Sequence, residues 1–423
     1  MCSKYKVIEP KGAALDSITD VVPQGNTKTP AIPAKVYYRR LKETASEVFI
    51  QKRLAECGKR AVSTTVTIKE TAEGKVYASG VWSCGRAWLC PTCALKISQH
   101  RAETLLKFFQ SADRQGATTM MITPTVPHHQ GTPLKDLLEL VNDSFRRLTK
   151  NKKFQAAKEK YGFEGFVRSV EITHGKNGWH PHLHVLVFAL CEADELTELC
   201  ELIFEIWADI VNRSGKLKKG QKCSRKAFNI SPVNSKEGMS RYLNKWHIGN
   251  EIASGQSKKS TAGRSVFQIL QDYHKQPTSK DKKLLREYEN ATKNKQQLTY
   301  SRAGNFKAKY TDQEEAQEKT DFEIANEKKE GIPTLAITRL LWNKIVKIGS
   351  LGWFLHVYQE SGQRSARKFL KRKGIEVLTL GDEMMYTKDG FFRLHIWDTK
   401  KEAPPIDTKI SRSVQGTLFA KVA

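Results

Sequence analysis

The stretch Trp179-His180-Pro181-His182-Leu183-His184-Val185-Leu186-Val187 constrains this chain more than any other. It passes from alternating histidines into apolar residues and reads as a β-strand over 182–189. Successive side chains on a strand point to opposite faces, so His182 and His184 project from one face and Leu183 from the other. Two imidazoles on one strand face can share a metal ion.

The sequence around this strand supplies a sheet for it. Residues 118–126 read as a strand, and Leu134, Leu137, Leu138, Val141, Phe145 and Leu148 then recur at helical spacing. Residues 163–173 form a second strand. After the histidine strand, Leu196, Leu199, Cys200, Ile203, Trp207 and Ile210 mark another amphipathic helix, and 227–233 reads as a fourth strand. The order βαββαβ predicts an α+β fold: a four-stranded antiparallel sheet of the split-βαβ kind, with both helices on one face. The other face is expected to be free for a site or a nucleic acid.

Glu171 joins the histidines if the turn between the second and third strands is centred on Lys176-Asn177. Glu171 then falls opposite His182 and shares its face. A slip of one residue would turn it away. A His182–His184–Glu171 set with open positions suits a divalent cation, and the ligand types alone would also suit zinc. The bland alternative is an ordinary polar face. His180 is read as a DNA-contacting group or as a support for the ligands.

Cysteines suggest a second metal. Cys84, Cys90 and Cys93 surround Pro91, and a Cys-x2-Cys pair lets two thiolates meet one Zn²⁺ from a tight turn. Cys57 is the favoured fourth ligand, brought back by a hairpin over 62–82, with His100 as the alternative. The chain has 8 Cys and no apolar run near the roughly 18 residues of a membrane span. No signal peptide is evident, so a reducing cytoplasmic setting without a membrane partner is expected.

At 423 residues, more than one domain is expected. The layout reads as a flexible arm over 1–45, a zinc-binding module over 46–115, and the sheet domain over 116–255. A basic linker and helical region over 256–332 and a C-terminal helical region over 333–423 follow.

Charge points to the partner. Lys and Arg number 71 against 45 Asp and Glu, a formal net charge of +26. Such an excess suits polyanions, because each neutralised phosphate releases condensed counterions. Lys216, Lys218, Lys219, Lys222, Arg225 and Lys226 crowd a loop of 213–226 that holds no acid, a candidate clamp for DNA phosphates. A second basic region runs from Lys282 to Lys309. Further on, Tyr242 and Lys245 stand three residues apart and would share one face of a helix. A tyrosine can act as a covalent nucleophile when its oxyanion is stabilised.

In order, Met121-Ile122-Thr123-Pro124-Thr125, His182-Leu183-His184 and Tyr242-Leu243-Asn244-Lys245 resemble the three motifs of the HUH endonucleases, and specifically the plasmid rolling-circle Rep proteins. The resemblance covers about residues 45–345 and includes the cysteine knuckle. It implies an HUH nuclease domain over 116–255 and a catalytic Mg²⁺ or Mn²⁺ beside the structural Zn²⁺. It further implies that Tyr242 attacks a phosphodiester of plasmid origin DNA, leaving a 5′-phosphotyrosine and a 3′-OH for a host polymerase, with a host helicase as a further partner. Lys245 would position or neutralise charge. Glu237 is the candidate to activate water for the closing cleavage. It lies five residues before Tyr242, where about one helical turn would be expected, so it equally suits a helix start after Ser235. The bacterial cytoplasm is the implied location. A relaxase or transposase of the same superfamily is the sister reading. A zinc-containing DNA-binding regulator without catalysis is the rival of another class, and it leaves the histidine strand unexplained.

Overall fold

A computed structural model of the protein describes residues 21–22, 32–233, 263–301, 305–311, 319–327, 330–387 and 390–399. The chain forms two compact units. One is built mainly from residues 85–325, and the other from residues 51–84 together with the chain from 326 onward.

The first unit centres on an antiparallel sheet. Its strands lie in the order Leu298–Tyr300, Phe163–Gly175, Gly178–Ala189, Thr118–Pro124 and Phe228–Pro232, with Arg264–Ser265 pairing against the far end of Phe163–Gly175. Along the chain, helices Leu134–Thr149 and Lys152–Lys160 separate strand Thr118–Pro124 from the Phe163–Ala189 hairpin, and helix Ala193–Asn212 precedes the edge strand Phe228–Pro232. The α+β class follows directly. The second short helix was not legible as a separate element. It starts where Asn151 accepts a hydrogen bond from the Lys153 backbone at 2.9 Å, a side-chain N-cap.

Parity along the hairpin assigns the two faces. Phe166 lies opposite Val187, and Phe145 of helix Leu134–Thr149 packs edge-on against Phe166 at 5.1 Å. Val187 and Leu183 therefore face the helices, while His182, His184, Leu186 and Phe188 face the other way. That other face is not wholly free, which corrects the sequence-based expectation. Leu105, Phe108, Phe109 and Ala112 of helix Pro91–Arg114, with Phe306 and Tyr310, form a core against Met121, Val167, Leu186 and Phe188. The same strand thus buries its apolar end under a helix and presents its histidine end as a site. Phe108 is fully buried, with its ring 5.0 to 5.1 Å from those of Phe188, Phe306 and Tyr310. Phe108→Ala should therefore cost about 3–5 kcal/mol of stability, read as a lowered denaturant midpoint at unchanged slope.

The second unit holds a five-stranded sheet in the order Val377–Thr387, Gly390–Thr399, Ile332–Thr338, Thr65–Glu70 and Val76–Ser79. Strands Ile332–Thr338 and Gly390–Thr399 run parallel, and the other pairs are antiparallel. Helices Arg339–Lys347 and Leu351–Arg372 contribute Leu341, Trp342, Phe354 and Leu370 to a core with Val66, Ile68, Leu335 and Trp397. Two expectations are corrected here. Residues 333–423 are not a purely helical region, because three of the five strands come from them. Residues 46–115 are not one module, because the hairpin Thr65–Ser79 belongs to this sheet while helix Pro91–Arg114 packs on the first. The physical reason is burial: a lone two-stranded hairpin is marginal in water, and Val66 and Ile68 are sealed only once Ile332–Thr338 pairs beside them. Among the described residues, no helix is long and apolar enough to cross a membrane.

Candidate functional site

The hairpin sets the site. Its turn is centred on Lys176-Asn177, with Gly175 paired to Gly178, and the ladder places Glu171 opposite His182 and Ser169 opposite His184. Gly178, the residue just after the turn, takes a φ of +86°, a left-handed conformation that other residues rarely adopt.

Three side chains converge as a result. Glu171 Oε2 lies 3.0 Å from His182 Nε2 and 2.6 Å from His184 Nε2. The ligand atoms of all three lie within 4.8 Å of one another. Burial alone would raise the Glu171 carboxyl, but hydrogen bonds and charge from the two imidazoles outweigh it and hold the group well below the usual carboxylate range. Two imidazole nitrogens and one ionised carboxylate are the donor set of a two-histidine, one-carboxylate metal site with positions left open.

Neighbouring residues orient the set. Thr123, in the strand beside His184, brings its hydroxyl 3.4 Å from His184 Nδ1. Thr125 bridges to His182 in the sheet and donates its hydroxyl to the Pro181 carbonyl at 3.0 Å. These threonines belong to a segment read at first only as a strand motif. His182 Nδ1 is buried without a hydrogen-bond partner among the described residues. The imidazoles form a row. The rings of His184 and His182 are 4.8 Å apart, those of His182 and His180 are 5.2 Å apart, and those of His180 and His128 are 4.6 Å apart. Burial, then the neighbouring His182 and His128, push His180 down to about 4, so it is neutral near pH 7. Sequence reasoning missed His128. It lies in the stretch after the first strand, and no period or spacing signals it.

The four cysteines also meet. Cys57, Cys84, Cys90 and Cys93 are buried, and their sulfurs lie within 4.8 Å of one another. Cys57 Sγ accepts the Cys84 backbone N–H at 3.3 Å. Four converging thiols fit a tetrahedral ion of the zinc type. His100 is not in this group. Pro91 takes the first position of helix Pro91–Arg114, where its missing N–H has no cost. Cys200 and Cys223 are buried elsewhere, and burial pushes their thiols up to about 12 and about 11.

Tyr242, Lys245 and Glu237 lie outside the described residues. In the basic loop, Arg225 is committed to structure. It pairs with Glu201 at 2.7 Å, donates to the Phe228 carbonyl, and stacks on Phe204 and Phe228. Lys216 lies 3.9 Å from Glu139 of helix Leu134–Thr149, which draws it to the helix side of the sheet rather than to the histidine side. Lys218, Lys219, Lys222 and Lys226 are at the surface.

A family model described as Replication protein matches residues 75–344, well over half of the chain. The chain belongs to this replication protein family. The match runs through the cysteine knuckle, the histidine strand and the segment holding Tyr242. A protein named Protein rep from Streptomyces lividans is 30% identical over 149 residues, covering 29% of this chain and 33% of the relative. Another named Protein rep, from Lentilactobacillus hilgardii, is 30% identical over 139 residues, covering 32% and 41%. A Streptomyces cyanogenus protein named Neomycin resistance protein is 27% identical over 147 residues, covering 29% and 34%. The chain thus spans about a third of the length of the first two of these relatives by rank of similarity, those from the two Streptomyces species. No solved structure matches.

Proposed function

We propose that this replication protein initiates plasmid rolling-circle replication by nicking one strand of its origin with Tyr242. The convergence of Glu171, His182 and His184 on one point carries the reading. A regulator that only binds DNA has no use for two imidazoles and a carboxylate aimed at each other on a sheet face. The ordered strand, histidine and tyrosine motifs, with the family membership, favour the HUH nuclease fold for the first unit.

Glu171 Oε2 and the Nε2 atoms of His182 and His184 would hold a Mg²⁺ or Mn²⁺ ion. Such an ion, when bound, polarises the scissile phosphate and draws charge from the leaving oxygen. Thr123 fixes the ring of His184, and neutral His180 sits beside the site as a hydrogen-bonding group for DNA. The Tyr242 oxygen attacks phosphorus, the bond to the 3′ oxygen breaks, and that oxygen takes up a proton as the 3′-OH. The phosphate remains on Tyr242 through the 5′ end. Lys245 offsets the phenolate charge, and Glu237 takes a proton from water in the closing step. Cys57, Cys84, Cys90 and Cys93 hold a structural Zn²⁺. Lys218, Lys219, Lys222 and Lys226 contact phosphates of the origin, with Lys216 at the edge of that loop. A host helicase and polymerase would then use the 3′-OH, in the bacterial cytoplasm where the plasmid resides. A relaxase or transposase shares the chemistry and differs in requiring no replicon origin.

The test is incubation of the protein with supercoiled DNA carrying its own replicon. Conversion to open circles with Mn²⁺ but not with EDTA supports the proposal. Equal nicking of DNA without the replicon favours the sister enzymes, and tight binding without any nicking favours the regulator.

A further inference from the structure

Helix Leu351–Arg372 of the second unit is broken at Gly362, whose φ of +70° and ψ of −175° cannot continue a right-handed helix. Two short helices result, 351–361 and 363–372. A Ser-Gly joint of this kind frees the second helix to leave the line of the first.

The second piece is two-sided. Ala366 and Leu370 are buried in the core of this unit, and Phe369 packs against that core. Gln363 Nε2 donates to the Thr334 carbonyl at 2.9 Å, and Arg367 donates to the Val377 carbonyl at 2.7 Å. Arg364, Lys368, Lys371 and Arg372 are exposed. At 3.6 residues per turn these four fall within about a third of the helix circumference, opposite Ala366 and Leu370.

The surrounding sequence does not cancel this charge. Residues 361–375 hold six bases and no acid, and residues 339–423 as a whole hold sixteen bases and eight acids. Glu360, the acid just before the break, accepts from Gln359 Nε2 at 3.0 Å and lies 3.9 Å from His356 Nδ1.

The chemistry of the stripe selects among polyanions. A helix that lies on a membrane needs apolar side chains on its outer face, and here Ala366, Phe369 and Leu370 turn to the core instead. A single nucleic-acid strand is held by stacking on aromatic rings, and the exposed stripe carries none. The major groove of an RNA duplex is too deep and narrow to be read. The major groove of duplex DNA admits an α-helix. From Arg364 to Arg372 the stripe runs about 12 Å, which faces roughly three or four base pairs.

We propose that helix 363–372 lies in the major groove of duplex DNA, with Lys368 and Lys371 against phosphates of the groove walls. The stripe shares no residue with the histidine site, and the proposal does not rest on the nicking function.

The experiment uses the full-length protein without added divalent metal. Fluorescence anisotropy follows a labelled duplex of about 30 base pairs and a labelled thymidine strand of the same length across a salt series, and co-sedimentation follows vesicles of anionic phospholipid. Replacing two phosphate-neutralising lysines, Lys368→Gln with Lys371→Gln, should weaken duplex binding by about tenfold and reduce the slope of log affinity against log salt by about 1.8. Binding to the thymidine strand should be unchanged. The charge-keeping pair Lys368→Arg with Lys371→Arg should bind the duplex as the wild type does. Unchanged duplex affinity in the glutamine pair overturns the proposal, and so does an equal loss on the thymidine strand or an arginine pair as weak as the glutamine pair. Loss of vesicle binding with duplex binding intact would overturn it in favour of a membrane surface. Because no cleavage occurs under these conditions, failure of the nicking function would leave the duplex result standing.

Discussion

Replacing His184 with alanine is expected to lower metal-dependent nicking by at least about a hundredfold, since even supporting residues of a metal site are commonly worth 10- to 100-fold. His184 is 5% exposed and its Nε2 is the closer of the two imidazole nitrogens to Glu171, at 2.6 Å. Removing it leaves two donors and uncovers the Glu171 carboxylate. Affinity for origin DNA should change little, because phosphate contacts from lysine and arginine elsewhere supply most of it. Titration of the protein with Mn²⁺ should show the lost affinity directly. Nicking at the wild-type rate with unchanged Mn²⁺ affinity would remove His184 from the ligand set.

Cys90→Ser should have its largest effect on folding rather than on chemistry. The sulfurs of Cys57, Cys84, Cys90 and Cys93 are buried within 4.8 Å of one another, and four converging thiols fit a tetrahedral ion of the zinc type. Zinc binding to sites of this kind is coupled to folding and strengthens it by several kcal/mol or more. The variant should lose one equivalent of zinc, and its thermal midpoint should fall by at least about 10 °C. A variant that carries no zinc yet melts with the wild type would mean that the cluster is a set of packed thiols.

How far the sequence carried depended on how local each signal was. The register of the hairpin follows from its turn residues and strand period alone, so the sequence itself sets Glu171 opposite His182, as the ladder does. Cys57 joined Cys84, Cys90 and Cys93 for a similar reason, since the intervening hairpin returns the chain. Long-range pairing was not legible. Nothing in Thr65–Glu70 says that its partner is Ile332–Thr338, and nothing in Gly390–Thr399 marks it as a parallel neighbour of that strand. The free face expected of the sheet failed for the same reason. Helix Pro91–Arg114 has the periodicity of any amphipathic helix, and only the fold shows that Phe108 covers Phe188. Arg225 was read as one more cation of a basic loop, but its neighbours Glu201, Phe204 and Phe228 draw it into a structural role.

The central claim is that a tyrosine of this chain becomes bonded to DNA under the control of a metal. A denaturing gel of wild type and Tyr242→Phe, each incubated with origin DNA and Mn²⁺ or EDTA, tests it most directly. A slow-migrating protein–DNA band that survives denaturant, requires Mn²⁺ and disappears in Tyr242→Phe is the predicted result. A band that persists in the variant would assign the nucleophile to another residue, and no band on DNA known to hold the origin would contradict the nickase itself.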